Sequence, residues 1–427
     1  MKKVLIITYY WPPSGGPGVQ RVLKFVKYLP QFGWEPIVLT VEKGNYPSID
    51  YDLINEIPVG CKVYRTKIFE PFKLYSKITG KSTGEKIPTF VLNSSQHEKL
   101  SEKLSKKLRA NLFVPDAKIG WIKHIVKEGE KIIAREKPDL IFSSSPPHSL
   151  QIGAMKLAQK TGLKWMADFR DPWSTAFWQN DIRRMKLAKN RDSKYEKAVL
   201  QKADAVSSVS KSIVADFENI TKNNFHVLPN GYDYEDFDNI TPSTSKKFII
   251  SYTGTLSKTQ RIDNFLESLV KLNASLLENV EVNFYGTLHP DISASIQKSN
   301  IAGIINIHEG VAHKKIIEIL MNSDMLLLVI PDTPKNEGIL TGKLFEYLAS
   351  RKPILGIGPK HGEAAKILTT TGCGEMFDFN EDLLPFILNE IEQKNKSVKR
   401  NFIDSEIEKF SRKNLAQNLT NIFEELL

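Results

Sequence analysis

Short uninterrupted apolar runs alternate with amphipathic stretches along most of the chain. Residues 3–9 (KVLIITY) read as a strand buried on both faces. A loop from residue 10 to 18 follows. The spacing of Val22, Leu23, Phe25, Val26 and Leu29 then predicts a helix from residue 19 to about 29, ended by Pro30 and Gly33. Residues 36–40 supply the next strand, completing a βαβ unit. The rhythm returns at residue 139, with a strand into Pro146-Pro147-His148, a helix over 149–161 and a strand over 164–167. A basic helix over 181–201 and strands at 203–210 and 226–233 complete the first series. An acidic stretch to about residue 245 reads as a linker. A second series opens at Lys247, with strands at 248–256, 280–288, 304–310 and 325–330 and helices from about 263 and over 314–322. The loop 331–337 leads into GILTGKLFEYLASRKPILGIG, residues 338–358. This stretch predicts a glycine-bearing loop, a helix capped by Thr341 and stopped at Pro353, and a strand over 354–357. An amphipathic helix closes the chain.

The expected fold is therefore α/β, with two doubly wound Rossmann-like domains facing a cleft. Their expected bounds are 1–240 and 241–408, with a last helix over 409–427 packing back on the first domain. At 427 residues two domains are the natural prior. No apolar run approaches the ~20 residues of a membrane span. The opening MKKVLIITYYWPP lacks the small-residue cleavage site of a signal peptide, so it is read as a first strand of a cytoplasmic protein. The two cysteines, Cys61 and Cys373, are far apart and lack metal-ligand spacing.

Charge changes the picture. The formal net charge is +10, but residues 1–240 carry 38 Lys and Arg against 26 Asp and Glu, and the remainder 21 against 23. A basic first half suits an anionic partner, such as the inner face of a membrane. The basic amphipathic stretch 97–113 (HEKLSEKLSKKLRANLF) is one candidate for that contact. A nucleic-acid partner is not expected, because aromatic and basic residues are not interleaved on a strand platform.

Three places carry candidate chemistry. In the 338–358 segment, Lys343 and Glu346 are three residues apart and share one side of the first helical turns. A helix N-terminus fed by a glycine loop offers free N–H groups to an anion, and the lysine adds a charge for a phosphate. The carboxylate of Glu346 suits ribose hydroxyls. In the first βαβ unit Gly15 and Gly16 let backbone approach a ligand, although GGPG is not the GxGxxG fingerprint. Asp168-Phe169-Arg170-Asp171-Pro172-Trp173 clusters charge just past the end of a strand, where open sheets bind ligands.

Together these segments resemble the GT-B glycosyltransferases of the large retaining family 4, over nearly the whole chain and most weakly at 43–137. GGPGVQRVLKFVKYLPQFGWEPIVLT is similar to the family's opening loop and helix. ADAVSSVS followed by HVLPNGYD resembles its pre-linker signature, with Asn230, Gly231 and Asp233 matching. GKLFEYLASRKPIL resembles its donor-binding helix. The resemblance implies a GT-B fold in which Glu346 binds the donor ribose, Lys343 lies near the diphosphate and Arg261 holds the phosphates, with donor contacts from Gly254, Lys258 and the loop Glu337, Gly338, Leu340, Thr341 and Gly342. The sequence departs from the family at three points. Thr255 stands where many members have an arginine. Gly338 stands where the first of two glutamates is usual, with Glu337 one residue out of register. Arg170 replaces the histidine of a His-Asp-x-Trp motif. Asp171 is the first candidate for the acceptor-side base and His148 the second, with Arg170 and Lys343 completing the catalytic set.

The implied activity is transfer of a sugar from a nucleotide-diphosphate-sugar to a glycan or lipid-linked acceptor, as in bacterial surface-polysaccharide synthesis. Retention of configuration is implied by the resemblance alone. No cofactor and no metal are expected: positive groups aimed at the leaving diphosphate do the electrostatic work, and no Asp-x-Asp pair sits in a suitable loop. Two rivals stand beside this reading: a GT-B nucleotide-sugar 2-epimerase, and a non-catalytic subunit that binds a nucleotide-sugar or glycan.

Overall fold

The computed structural model describes residues 1–68, 111, 113–176, 184–238, 240–243, 245–398 and 400–427. The predicted basic stretch at 97–113 lies almost entirely outside the described residues. The chain forms two compact units, Met1–Pro229 with Lys413–Leu427, and Asn230–Arg412.

The first unit is built on strands β1 (Lys2–Thr8), β2 (Trp34–Val41), β3 (Lys62–Thr66), β4 (Leu140–Ser145), β5 (Lys164–Phe169), β6 (Ala205–Ser208) and β7 (Phe225–Val227). They run parallel in the order β3-β2-β1-β4-β5-β6-β7. Helices α1 (Pro17–Tyr28), α2 (Ile122–Glu136), α3 (Ser149–Thr161), α4 (Lys186–Lys202) and α5 (Lys211–Glu218) connect them. The period of two decides what each face buries. Leu5, Ile7, Leu39 and Ile141 pack with Ile125, Leu150 and Leu157 of α2 and α3. Val4, Ile6, Val38 and Phe142 point the other way, against Val22 and Phe25 of α1.

The second unit holds β8 (Phe248–Thr253), β9 (Val280–Tyr285), β10 (Ile305–His308), β11 (Met325–Val329), β12 (Ile354–Ile357) and β13 (Gly374–Phe377). They are parallel in the order β10-β9-β8-β11-β12-β13. Its helices are α6 (Asp263–Val270), α7 (Ala274–Glu278), α8 (Pro290–Lys298), α9 (His313–Asn322), α10 (Gly342–Ser350), α11 (Glu363–Thr371), α12 (Leu384–Asn395) and α13 (Asp404–Glu408). One face of the sheet packs on Phe265 and Leu269 of α6 with Ile387 of α12. The other packs on Ile317 and Leu320 of α9, Leu344, Phe345 and Leu348 of α10 and Leu368 of α11.

The last helix, α14 (Arg412–Leu426), returns to the first unit. Leu415, Leu419, Ile422 and Phe423 are buried in the α1-side core, and the Phe423 ring lies 5.1 Å from that of Trp34. The terminal segment is not one continuous helix, because residues 409–411 interrupt it between α13 and α14. The chain passes between units at Pro229, before the acidic stretch rather than near residue 240. Tyr232 is buried in the second unit's core, and Phe237 and Ile240 pack against it, so apolar anchors place this acidic segment there. Strands predicted as 248–256, 280–288 and 304–310 end sooner, at the residue before a glycine in the first two cases. Among the described residues no helix is long and apolar enough to cross a membrane.

Candidate functional site

In the second sheet the strand order reverses between β8 and β11, so the loops leaving those strands diverge and open a crevice at their carboxyl ends. The Asp332 N–H donates to the Thr259 carbonyl at 2.7 Å and ties the two loops together. The floor of this crevice is backbone. Gly254 and Gly286 sit at φ +99° and +135°, and a Cβ on Gly286 would fall 2.3 Å from the Gly254 carbonyl oxygen. A Cβ on Gly254 would fall 2.7 Å from Cε of Lys343. Only glycine allows this layering.

Lys343 lies in the first turn of α10. Its Nζ stands 4.0 Å from the centroid of the Tyr252 ring and donates to the Tyr252 hydroxyl. That hydroxyl also accepts from Gln260 Nε2 at 3.2 Å and donates to the Thr255 carbonyl at 2.7 Å. Burial pushes the Lys343 ammonium down to about 7, with Glu346 opposing. Burial pushes the Tyr252 phenol well up, so Lys343 is neighboured by a neutral ring. Tyr347 accepts the Thr253 N–H at 3.1 Å and joins α10 to the end of β8.

Glu346 contacts His313 Nε2 through Oε1 at 3.0 Å. Thr341 occupies the predicted N-cap position but makes no capping hydrogen bond, and its Oγ1 is buried without a partner among the described residues. The free N–H groups of this helix end, the spare Thr341 hydroxyl and Lys343 thus sit in one turn, with Glu346 the acid whose charge reaches Lys343. Glu337 and Gly338 lie in a short 3₁₀ turn (Asn336–Gly338), where Glu337 is exposed. Leu340 packs against the α10-side core, and Gly342 is exposed with open space around its Cα. Two expected phosphate ligands are occupied by carboxylates: Lys258 lies 3.4 Å from Asp291, and Arg261 lies 3.4 Å from both Asp263 and Asp332. A ligand would have to draw them away.

In the first sheet the order reverses between β1 and β4. Here the charges are paired. Arg21 and Asp168 are both fully buried and bonded in a fork, at 3.0 and 2.7 Å. Ser144 and Ser207 also donate to Asp168, and Arg21 reaches the Leu228 and Pro229 carbonyls. Burial raises the Asp168 pKa, but Arg21 and the two serines outweigh it and hold the carboxyl below its usual value. Arg170 donates to three backbone carbonyls, those of Gly18, Ser145 and Pro146, and lies over the Tyr10 ring at 5.4 Å. A side chain at residue 18 would strike it, at 2.8 Å from Cβ to Nη1. Arg170 is therefore a clamp between two loops, with its donors turned away from any ligand. Gly15 packs against Ser48 and Asp50, and Gly16 sits exposed beside them. The Gly15 N–H donates to the Ser48 carbonyl at 2.9 Å, which ties the two loops together.

His148 stacks on Trp173 at 4.8 Å between centroids and 7° between planes, with Nδ1 3.3 Å from Ser145 Oγ. Burial drives its pKa to about 3, so it is a neutral packing element and a poor base at neutral pH. Asp171 differs: burial raises its pKa while Arg170 opposes, and its carboxylate has no hydrogen-bond partner among the described residues. The neighbouring Trp173 is held by Asp192 at 2.7 Å and the Ser174 N–H by Glu196 at 3.1 Å, which positions the loop that carries Asp171. Among the described residues no group of three His, Cys, Asp or Glu side chains is arranged to hold a metal ion.

Residues 90–236, about a third of the chain, match the family model described as Glycosyltransferase Family 4. Solved structures of the same architecture align over the full chain. Sucrose-phosphate synthase from Thermosynechococcus elongatus is 12% identical with a TM-score of 0.64, covering 100% of this chain and 99% of that one. A glycosyltransferase from Rickettsia africae is 15% identical with a TM-score of 0.64, covering 100% and 98%. HepE from Anabaena, solved in complex with UDP, is 12% identical with a TM-score of 0.63, covering 100% of each chain. The chain thus has the two-domain GT-B fold of these structures, and about a third of it is similar to Glycosyltransferase Family 4. No curated protein sequence matches it. The family match ends seven residues into the second unit and includes 90–137, within the stretch whose resemblance reads as weakest, while the GKLFEYLASRKPIL block lies outside it.

Several residues of these sites escape sequence reasoning. Tyr252, Gln260 and His313 act through side-chain contacts across elements, and nothing local marks them. Gly18 carried a signal, since it is the third glycine of GGPG, but its partner Arg170 lies 152 positions away. Arg21 and Asp168 read as one surface helix position and one loop acid until the fold brings them together.

Proposed function

We propose that this transferase moves a sugar, with retention of configuration, from a nucleotide-diphosphate-sugar to a glycan or lipid-linked acceptor, without a metal. The observation that carries the donor half is Lys343: a desolvated ammonium over a glycine floor, at a helix N-terminus, bonded only to a neutral phenol among the described residues. In the transition state negative charge grows on the leaving diphosphate. Lys343, the Thr341 hydroxyl and the α10 N–H groups are aimed where that charge develops, and preorganised groups of this kind are the largest single contribution in many enzymes. They supply the positive charge that a divalent cation supplies elsewhere. Glu346, with one oxygen taken by His313, has the other for a ribose hydroxyl. HepE has been solved with UDP and with UDP-glucose, which supports a nucleotide-sugar as the donor class. On the acceptor side Asp171 is the group whose raised pKa and open lone pairs suit proton acceptance. In a front-face transfer the acceptor hydroxyl attacks as the diphosphate departs, and its proton passes to Asp171 with help from the departing phosphate oxygen. Synthesis of a bacterial surface polysaccharide is the setting this chemistry suits.

The test is a thermal-shift panel of UDP-, GDP-, ADP- and dTDP-sugars on wild type and Glu346→Ala. A ligand at about 100 times its Kd raises stability by about 2.7 kcal/mol. One nucleotide class should shift wild type and not the variant. Absence of any shift would favour a non-catalytic subunit that binds a glycan. Release of free nucleotide without an acceptor would favour the epimerase.

A further inference from the structure

We infer that the outer face of α4 is a docking surface for an anionic lipid bilayer. This helix carries six basic residues, Lys186, Lys189, Arg191, Lys194, Lys197 and Lys202, and all six are exposed. Its two acids point inward. Asp192 is buried against Trp173 and Arg184, and Glu196 is buried against the Ser174 N–H. The buried acids hold the loop that carries Asp171, while the cations are exposed around the rest of the helix. Among the described residues none of the six forms a salt bridge; Arg191 bonds the Tyr195 hydroxyl, at 3.1 and 3.0 Å.

Two apolar side chains stand at the start of this cationic face. Met185 is 56% exposed and Leu187 is 81% exposed. At 100° per residue, Leu187, Lys194 and Lys197 fall within one outward stripe. Exposed apolar side chains set among lysines match the headgroup–acyl boundary of a bilayer, which takes both. A nucleic-acid strand would use the cations but has no place for Met185 and Leu187, and α4 offers no exposed aromatic ring for a base to stack on. The charge complementarity therefore selects an anionic membrane. The inference rests on the lipid-linked-acceptor reading for its purpose, since such an acceptor is held at a bilayer surface, but binding can be tested without turnover.

The experiment is co-sedimentation of the full chain with phosphatidylcholine vesicles, with and without about 30 mol % phosphatidylglycerol, in about 0.1 M salt. Wild type should bind the anionic vesicles and lose them as salt rises. Each cation near such a surface is worth roughly fivefold in affinity, so Lys194→Glu/Lys197→Glu should weaken binding by more than about tenfold. Leu187→Asp should weaken it on its own. Lys298→Glu/Lys366→Glu, equal in charge change but in the second unit, should bind as wild type does. The α4 variants should keep the wild-type Tm and donor-induced shift, which separates failure of this surface from failure of the donor site. Equal loss in the second-unit control, no binding by wild type, or tighter α4-dependent binding to a single-stranded RNA homopolymer would each overturn the proposal.

Discussion

At the switch point of the first sheet the buried charges are Arg21 and Asp168, joined in a fork and surrounded by serines and carbonyls. At the switch point of the second sheet the charge is Lys343, and its hydrogen-bond partner is a phenol. Both crevices come from the same topology, a reversal of strand order beside a glycine-bearing loop. The difference lies in what has been left over. Four hydrogen bonds, from four of its five N–H donors, use Arg21 and hold α1, β5 and the chain segment at Leu228 and Pro229 together. Lys343 is desolvated, and Glu346 offsets that only in part; this state costs stability, and an arriving phosphate relieves it. Satisfied charges build the fold, and an unsatisfied one marks where a ligand belongs.

The sharpest way to break this comparison is to unpair the first site. Asp168→Ala leaves the Arg21 guanidinium buried and uncompensated, and should lower stability by about 3–5 kcal/mol in urea unfolding. A loss under about 1 kcal/mol would mean water reaches Arg21 and the site is not built as described.

Next is the same operation at the second site, with the opposite outcome. Lys343→Ala should reduce turnover by about 10²–10³-fold. Lys343→Met, which keeps the bulk, should raise stability by on the order of 1 kcal/mol. The sign follows from linkage. The folded-state pKa of about 7 lies below the ordinary lysine value of 10.5, so the unfolded chain binds more protons between those pH values. The penalty carried by wild type is complete below pH 7 and fades as pH rises toward 10.5. The advantage of Lys343→Met should fade over the same window in thermal unfolding at several pH values. Wild-type turnover in Lys343→Ala would end the phosphate role.

A smaller and more specific effect concerns protons. A diphosphate should restore the Lys343 charge, so binding at pH 8 should take up about one proton, read by calorimetry in buffers of different ionisation enthalpy. Uptake should vanish in Lys343→Met. The smallest effect is expected at His148. His148→Phe keeps the ring stack on Trp173 and should change turnover by less than about threefold, whereas Asp171→Asn should reduce it by about 10²-fold or more without altering the donor's thermal shift. The reverse ranking would make His148 the base.

Particular residues show what could be read before folding. The runs KVLIITY, DLIFSSS, FIISY and MLLLVI declared buried parallel strands, because only a strand covered on both faces is apolar without alternation. The helix 149–161 was legible to the residue, since His148-Ser149 begins its apolar face and Gly162 ends it. Boundaries slipped where a glycine sits just past a strand, because pairing stops at Tyr285 and Thr253 while the apolar pattern runs on. At the site, the short-range pair Lys343 and Glu346 was visible from spacing. Their partners Tyr252 and His313, 91 and 33 positions away, were not.

Sequence alone thus determined the α/β class, the two strand series, the family resemblance and the surplus of positive charge in the first half, because each is written in local pattern or in composition. Tertiary structure decided which charges are spent. Whether an arginine is a clamp, a lysine is held near neutrality, a histidine is inert in a stack, or six cations lie exposed while two acids turn inward depends on burial and on partners far along the chain. Desolvation and pairing are properties of position in space, and residue order carries them only once the chain has folded.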